Sequence, residues 1–342
     1  MPEAGNSSTA RRRVAAFCAV LGLLIAGLPV AVQVVGAHDR LSALVAIATA
    51  HLVLAALGLE LIAIVVSRSR FAVAGAMAIL VAAAAVLGDE WISTPTGDGP
   101  ASLIVMSWNV EFGSEAVAQL PVVLLSTDAD IVALQELTPE AAAAIEAESA
   151  VVTRYPHRVL RPDSGVRGLG LLSRHPMRAG AVSTSPPALS ATVTLSDQRT
   201  LQVLNAHPLP GRILTFASLP VGFDGSNRDV ALGTVRRQAD QLAAAGGPVI
   251  WLGDLNVAPT EPAYDQLLPG WRDTHVEVGL GPGWTWRPSW IQALVTGLLR
   301  IDYVLVTPGM KTVSSRQDCS RPGDHCILTV GLQLPGDTAT KP

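Results

Sequence analysis

Cysteine is scarce: the chain has three in 342 residues, Cys18, Cys319 and Cys326. That is too few for a disulfide-built scaffold. Cys18 lies in an apolar run and reads as a small packing residue. Cys319 and Cys326 flank Asp324-His325. They stand either as two thiols or as a bridge closing a short loop, which requires an oxidising compartment. No second Cys/His pair is near enough in sequence to make them a zinc site. Also missing are an H-E-x-x-H pair, a G-x-S-x-G elbow and a Gly-Lys-Ser/Thr phosphate loop, so zinc-peptidase, serine-hydrolase and P-loop chemistry find no motif. Neither an internal repeat nor a low-complexity tract is visible after residue 98.

Basic charge is thin as well. Of the 24 Lys+Arg six precede residue 98, and of the 28 Asp+Glu five do, which leaves 18 basic and 23 acidic residues, net −5, in the remainder. Mild acidity serves solubility and lacks the concentrated basic surface that grips a nucleic-acid backbone. Nucleic acid is therefore not expected as a partner, and nothing calls for a protein partner.

Apolar runs, by contrast, crowd the start. Residues 14–37, 41–66 and 71–88 carry almost no charge, and the first two are long enough to cross a hydrocarbon core of about 30 Å. A cleavable leader fits poorly, because the first run is too long and two more follow. Arg11, Arg12 and Arg13 precede the first run, and Arg68 and Arg70 separate the second from the third. Those ends belong in the cytoplasm. The expectation is a multi-pass anchor in the plasma membrane with a cytoplasmic N-terminus. His51 and Glu60 fall inside the second run and are read as facing neighbouring helices. The chain accordingly divides into 1–97, anchor and linker from Asp89 to Pro100, and an extracytoplasmic domain over 98–342.

Within that domain short apolar runs alternate with helical stretches. Strands are expected over 102–108, 130–134, 158–160, 168–173, 191–195, 200–205, 248–253, 301–306, 312–315 and 327–332, with Asp197-Gln198 turning a hairpin. Helices are expected over 115–125, disturbed at Pro121, from Thr138-Pro139, and from an Asn227 cap to Ala245. The pattern is a layered α/β protein with two sheets.

Several of these strands end in groups that bind metal or move protons instead of in plain turn residues. Asn109 and Glu111 follow the first, Gln135-Glu136 the second, and Asn205-Ala206-His207 another. Asp254 and Asn256 close a fourth, Asp302 opens the next, and Asp324-His325 precedes the last. Strand ends of open sheets are where ligands gather. Hard oxygen donors suit Mg²⁺, and with His and carboxylates they suit water attack on a phosphate ester. Tyr155 is read as a packing residue.

In order along the chain, Trp108-Asn109, Leu134-Gln135-Glu136, Gly170-Leu171-Leu172-Ser173-Arg174, Asn205-Ala206-His207, Gly253-Asp254-Leu255-Asn256, Arg300-Ile301-Asp302-Tyr303 and Gly323-Asp324-His325 resemble the endonuclease/exonuclease/phosphatase superfamily. The resemblance implies a four-layer αββα sandwich of two mixed sheets, here preceded by three transmembrane helices. It implies Asn109 and Glu136 as ligands of Mg (or Mn), with Asp324 near the metal, His325 as base, and Asp302 holding its ring. Asp254 and Asn256 would position water and phosphate, Asp254 would also protonate a leaving group, and His207 would donate to the phosphate. One departure is Gly323, where the pattern usually has serine. The anchor-plus-domain architecture is similar to membrane-anchored teicoplanin-resistance proteins of the superfamily. That likeness implies a lipid-linked (polyprenyl) phosphate or pyrophosphate, or another envelope phosphoester, and a role in glycopeptide resistance. The Trp-rich tract 283–291 and the apolar residues 293–299 beside it fit a prenyl chain or ordinary packing equally. Two other readings stay open, an extracellular nuclease or phosphodiesterase and a non-catalytic envelope binding protein, the second requiring a lost motif residue that is not seen.

Overall fold

The structure is a computed structural model and describes residues 4–93, 99–111 and 115–337. Four helices come first: α1 (Ala4–Val35), α2 (Arg40–Ile47), α3 (Thr49–Ser67) and α4 (Arg70–Trp91). Three stretches, Thr9–Val35, Thr49–Ser67 and Arg70–Gly88, are long and apolar enough to cross a membrane. The second run does not form one helix. Asp39 and Ser42 build a capping box that starts α2, and the helix breaks at Ala48. There the Thr49 hydroxyl donates to the Val45 carbonyl, the kind of back-bonding that bends helices. Glu60 is buried where Gly22 of α1 and Gly75 of α4 come against it, so it does face its neighbours. The third helix outlasts its expected end at Gly88 and runs to Trp91. The middle of the expected linker, residues 94–98, lies outside the described residues.

The remaining elements in chain order are β1 (Leu103–Asn109), α5 (Ala116–Ser126), β2 (Ile131–Gln135), α6 (Pro139–Ala147), α7 (Ser149–Arg154), β3 (His157–Arg161) and β4 (Leu169–Ser173). Then follow β5 (Met177–Thr184), β6 (Pro187–Thr194), β7 (Thr200–Ala206), β8 (Arg212–Phe216), β9 (Leu219–Asp224) and α8 (Ser226–Ala244). Last come β10 (Val249–Asp254), β11 (Arg272–Asp273), β12 (Asp302–Val306), β13 (Lys311–Asp318) and β14 (Ile327–Gln333), with two short helices at Pro262–Asp265 and Thr274–Val278. One six-stranded sheet has the order β13-β14-β1-β2-β4-β3 and the other β11-β12-β10-β7-β6-β5. Each contains one parallel pair, β1 with β2 and β10 with β7, among antiparallel neighbours.

Strand alternation builds the layers. Val105, Ile131, Ala133, Val203, Ile250, Leu252 and Val304 share one core between the sheets. Their neighbours Met106, Trp108, Val132 and Leu134 turn outward against α5, α6 and α7. On the other sheet Leu204, Trp251 and Tyr303 pack under α8 residues Leu232, Val235 and Ala239. The result is the expected αββα sandwich of two mixed sheets flanked by helices.

Some local expectations fail for physical reasons. β5 escapes a periodicity reading because it is an edge strand with most of its residues exposed. β8 and β9 form a separate hairpin. Asn227 does not cap α8, which starts two residues earlier, from Gly225, without a side-chain cap. Pro121 is accommodated inside α5. Tyr155 is buried in the helix-side core with its hydroxyl on the Ala129 carbonyl. Cys319 and Cys326 are joined as a disulfide.

By contact density the chain forms two units. One comprises Met1–Asp89, Arg212–Asp224 and Thr260–Pro262, and the other Glu90–Gly211, Gly225–Pro259 and Ala263–Pro342.

Candidate active site

The stripe of residues that fills the space between the sheets changes character at one end. Along β1 it reads Leu103, Val105, Ser107, Asn109; along β2 Ile131, Ala133, Gln135; along β10 Ile250, Leu252, Asp254. β12 runs antiparallel to β10 and its first residue, Asp302, pairs with Asp254. Period 2 thus carries apolar side chains into the core and polar ones to its rim.

Deepest among the polar groups are two struts. Gln135 Nε2 donates to Asn205 Oδ1 at 2.8 Å, and Asn205 Nδ2 donates to the Leu134 and Gly170 carbonyls at 2.9 and 3.0 Å. Both side chains are buried. They join the sheets and do not reach the reacting groups.

Above them the expected residues converge. His325 Nδ1 lies 2.8 Å from Asp302 Oδ2, and its Nε2 lies 3.5 Å from Asp254 Oδ2 and 3.9 Å from Asp324 Oδ1. His207 directs Nδ1 to the Val166 carbonyl at 3.0 Å and Nε2 to Asp254 at 3.4 Å and Glu136 at 3.8 Å. Asn109 Nδ2 donates to Asp254 Oδ2 at 3.0 Å and to Glu136 Oε1 at 3.1 Å. The Asn256 amide N–H donates to Asp254 Oδ1, and its side chain donates to the Pro208 carbonyl. Every residue expected at the site is joined to another by a contact of 3.9 Å or less.

Asp254 is the hub. One oxygen faces Asn109, His207 and His325, and the other accepts from Asn256. Burial works against its charge, yet His325 and His207 prevail and hold the carboxyl below its ordinary range. Donors from four residues thus converge on this one carboxylate. Burial likewise opposes the charged form of His325. The Asp302 and Asp254 carboxylates overcome it and push the ring up to about 10. Burial raises the Asp302 carboxyl as well, with the His325 charge opposing it. His207 is raised as well, its burial outweighed by the bond to Asp254.

Beside this chain lies a group of mutually repelling acids. Glu111 Oε2 accepts the Asp324 backbone N–H at 3.1 Å, and burial, then the Asp324 charge, raises the Glu111 carboxyl. Burial raises Asp324 too, with His325 opposing and Glu136 adding to the effect. Asp324 Oδ2 accepts from Trp286 Nε1 at 3.0 Å, while Oδ1 is buried with no hydrogen-bond partner. Hard, crowded oxygen donors with one orphaned acceptor fit a divalent cation of the Mg or Mn type. Asp254, Asp302 and His325 also bring ligand atoms within 4.8 Å of one another. Within that group His325 Nδ1 is bonded to Asp302 Oδ2, and Asp302 Oδ1 is buried with no hydrogen-bond partner. Glu111, Glu136 and Asp324 offer a second, neighbouring set of carboxylates. Asn109, the other expected ligand, accepts the Glu111 N–H at its oxygen and clamps the two carboxylates with its nitrogen.

Backbone strain gathers at the same place. Glu111, Glu136 and Asn256, each just past a strand, have φ of 51°, 55° and 53°, a conformation uncommon outside glycine that collects at functional sites. Gly253 has φ 138°, and a Cβ there would lie 2.0 Å from the Ala206 carbonyl oxygen; only glycine lets β10 approach β7 so closely. Gly323, the departure from the serine pattern, has φ 113°, where a side chain is strained.

The sequence marks Glu111 as a strand-end group without assigning it a role, and it gives no site role to Trp286 or to Thr285, whose hydroxyl accepts the Ile301 and Asp302 N–H groups. Glu111 had a usable signal, as an acid two positions past Asn109 on a strand paired in parallel with the one ending at Gln135.

No curated protein matches the chain. Among solved structures, a 3′ phosphatase, NExo, from Neisseria bound to a product DNA hairpin is 21% identical, with TM-score 0.52 over 68% of this chain and 100% of its own. An AP endonuclease from Archaeoglobus fulgidus is 18% identical, with TM-score 0.51 over the same shares, 68% and 100%. A mannosyl-6-phosphatase of Bacteroides thetaiotaomicron is 15% identical, with TM-score 0.50, again over 68% and 100%. These likenesses establish the fold. The model of the Endonuclease/Exonuclease/phosphatase family matches residues 106–325, a span running from β1 to His325. The chain belongs to that family, whose members hydrolyse phosphoesters.

Proposed function

We propose that the protein is a membrane-anchored, Mg- or Mn-dependent phosphoesterase that hydrolyses a lipid-linked phosphate or pyrophosphate on the outer face of the plasma membrane. The observation that carries the chemistry is the junction at Asp254 Oδ2, where Asn109, His207 and His325 converge beside the acids Glu111, Glu136 and Asp324.

Those acids would hold a divalent cation, which would neutralise charge on the phosphoryl oxygens and support the departing oxygen. Asp254 accepts the proton of the attacking water, its charge maintained by the donors around it. His325, its Nδ1–H fixed on Asp302, offers the Nε2–H to the oxygen on which negative charge develops. His207, anchored at Nδ1 on Val166, presents Nε2 to the phosphate from the other side, and Asn109 keeps Asp254 and Glu136 in register. His325 thus begins the reaction as an acid, the reverse of the base role implied by family likeness. Asn256 holds the turn and directs its N–H to Asp254, leaving water orientation to the Asp254 carboxylate.

Two features favour an envelope substrate. The Cys319–Cys326 disulfide fits an oxidising compartment and agrees with the Arg distribution around the spans. Next to Trp286, which bonds Asp324, Trp290 and Leu294 leave 83% and 82% of their surface exposed, an arrangement suited to an acyl or prenyl chain continuous with a phosphate in the site.

The test uses the full chain in detergent micelles with polyprenyl pyrophosphate, DNA and RNA, each with and without Mg²⁺. Release of phosphate from the lipid, lost in His325→Ala and Asp254→Ala proteins that still fold, is the expected result. Preferential cleavage of DNA or RNA transfers the reading to a nuclease. Teicoplanin tolerance conferred equally by the parent and His325→Ala would make it a binding protein.

A further inference from the structure

The β8–β9 hairpin has no part in either sheet. It forms one compact unit with the apolar helices. Its two strands pair from Arg212↔Asp224 at the base to Phe216↔Leu219 at the tip, around Ala217 and Ser218, both with positive φ. The charged groups, Arg212 and Asp224, sit at the base, and large apolar side chains flank the tip. Phe216 is 75% exposed, Leu219 67%, Ile213 60% and Val221 47%. Water would leave four large apolar side chains of one short ribbon unburied, a concentration that marks an interaction surface.

The base of the hairpin is fastened to α2. Gly222 packs on Arg40, where a Cβ would stand 3.0 Å from the Arg40 Cβ. Asp224 pairs with Arg40 at 3.4 Å, and in the same unit Thr260 donates to the Ala46 carbonyl. α2 follows the exposed apolar end of α1, Val34 and Val35, and itself exposes Leu41. The apolar surface of the hairpin therefore continues that of the spans.

We propose that the hairpin is a second membrane contact, seating Ile213, Phe216, Leu219 and Val221 in the interfacial layer of the bilayer that the helices cross. This goes beyond the phosphoesterase reading and does not depend on it. A two-stranded ribbon has open edges whose N–H and C=O groups need partners, which excludes the hydrocarbon centre and permits headgroup depth. Pro220 removes one such donor. A second copy of the chain fits less well, since four side chains fall far short of the roughly 800 Å² per partner that stable association buries.

The experiment places a nitroxide label at Phe216→Cys, and separately at Leu219→Cys, in the full chain reconstituted in phosphatidylcholine vesicles. References are Val81→Cys on the exposed side of α4 and Ser196→Cys in an exposed turn. Collision with oxygen relative to an aqueous nickel chelate is measured. Both hairpin labels are expected to exceed Ser196→Cys several-fold, toward Val81→Cys. Chelate access equal to that at Ser196→Cys overturns the proposal while leaving the spans intact. Spin–spin broadening at the tip overturns it in favour of a dimer. Aqueous behaviour at Val81→Cys removes the bilayer from both readings.

Discussion

Gln135 and Asn205, at the ends of strands in different sheets, meet through a 2.8 Å hydrogen bond that spans the core. Asn205 also satisfies the Leu134 and Gly170 carbonyls, so one amide couples three strands directly beneath the site. Two buried strand-end amides thus support the reacting groups from below.

Replacing Asn205 with leucine leaves the Gln135 amide and two carbonyls without this partner in a buried setting. Each orphaned group costs about 1–3 kcal/mol, and the losses overlap. A destabilisation of about 3 kcal/mol is expected as a lower urea midpoint. A midpoint equal to that of the parent would show that the strut carries no load.

Asp302→Asn preserves shape and removes the charge that fixes His325. Turnover of a phosphoester should fall by roughly 10²–10⁴-fold, the range of a misplaced proton-transfer group, with KM little altered and the fold retained. Substrate titrations on the purified variant check this; a change confined to KM would assign Asp302 to binding instead.

Chelator should abolish turnover and Mg²⁺ or Mn²⁺ restore it. Glu136→Gln and Glu111→Gln should each raise the cation concentration needed for half-maximal rate, by about 10–100-fold on the scale of weakened metal-site contacts. If neither shifts that requirement, the cation is held elsewhere, and the Asp254–Asp302–His325 group becomes the alternative.

His275 offers a pH prediction away from the reacting groups. Its Nε2 faces the Gly281 carbonyl and its Nδ1 faces the Gln317 amide nitrogen, which specifies a neutral ring protonated at Nε2. Burial, then the Arg300 charge, depresses its pKa from 6.5, against a small opposing pull from Asp273. A depressed folded value means that the stability tied to the neutral ring is complete above about pH 6.5 and is lost as pH falls through the folded pKa. Unfolding midpoints of the parent and His275→Gln should therefore converge from pH 7.5 to pH 5. Parallel curves would clear His275 of any part in acid sensitivity.

Much was readable along the chain because its signals are local. Strand period and apolar length announced β1, β2, β10, β12 and the three spans, and polar residues at strand ends marked Asn109, Glu136, Asp254 and His325. Edge strand β5 and the β8–β9 hairpin left no such trace, since most of their residues are exposed and show no buried alternate positions. Thr49's bond to Val45 split the second run, an effect that no hydropathy pattern contains.

By itself the sequence determined the layers and the inventory of acids, amides and imidazoles, because alternation and composition follow from neighbours in the chain. Only tertiary structure decided which of them act as acceptors, donors or supports. Asp254 is an acceptor because residues 109, 207, 256 and 325 all direct donors to it, and Glu111 joins the acids because the chain turns back beside Asp324. Charge state depends on such company in three dimensions, and order along the chain does not record it.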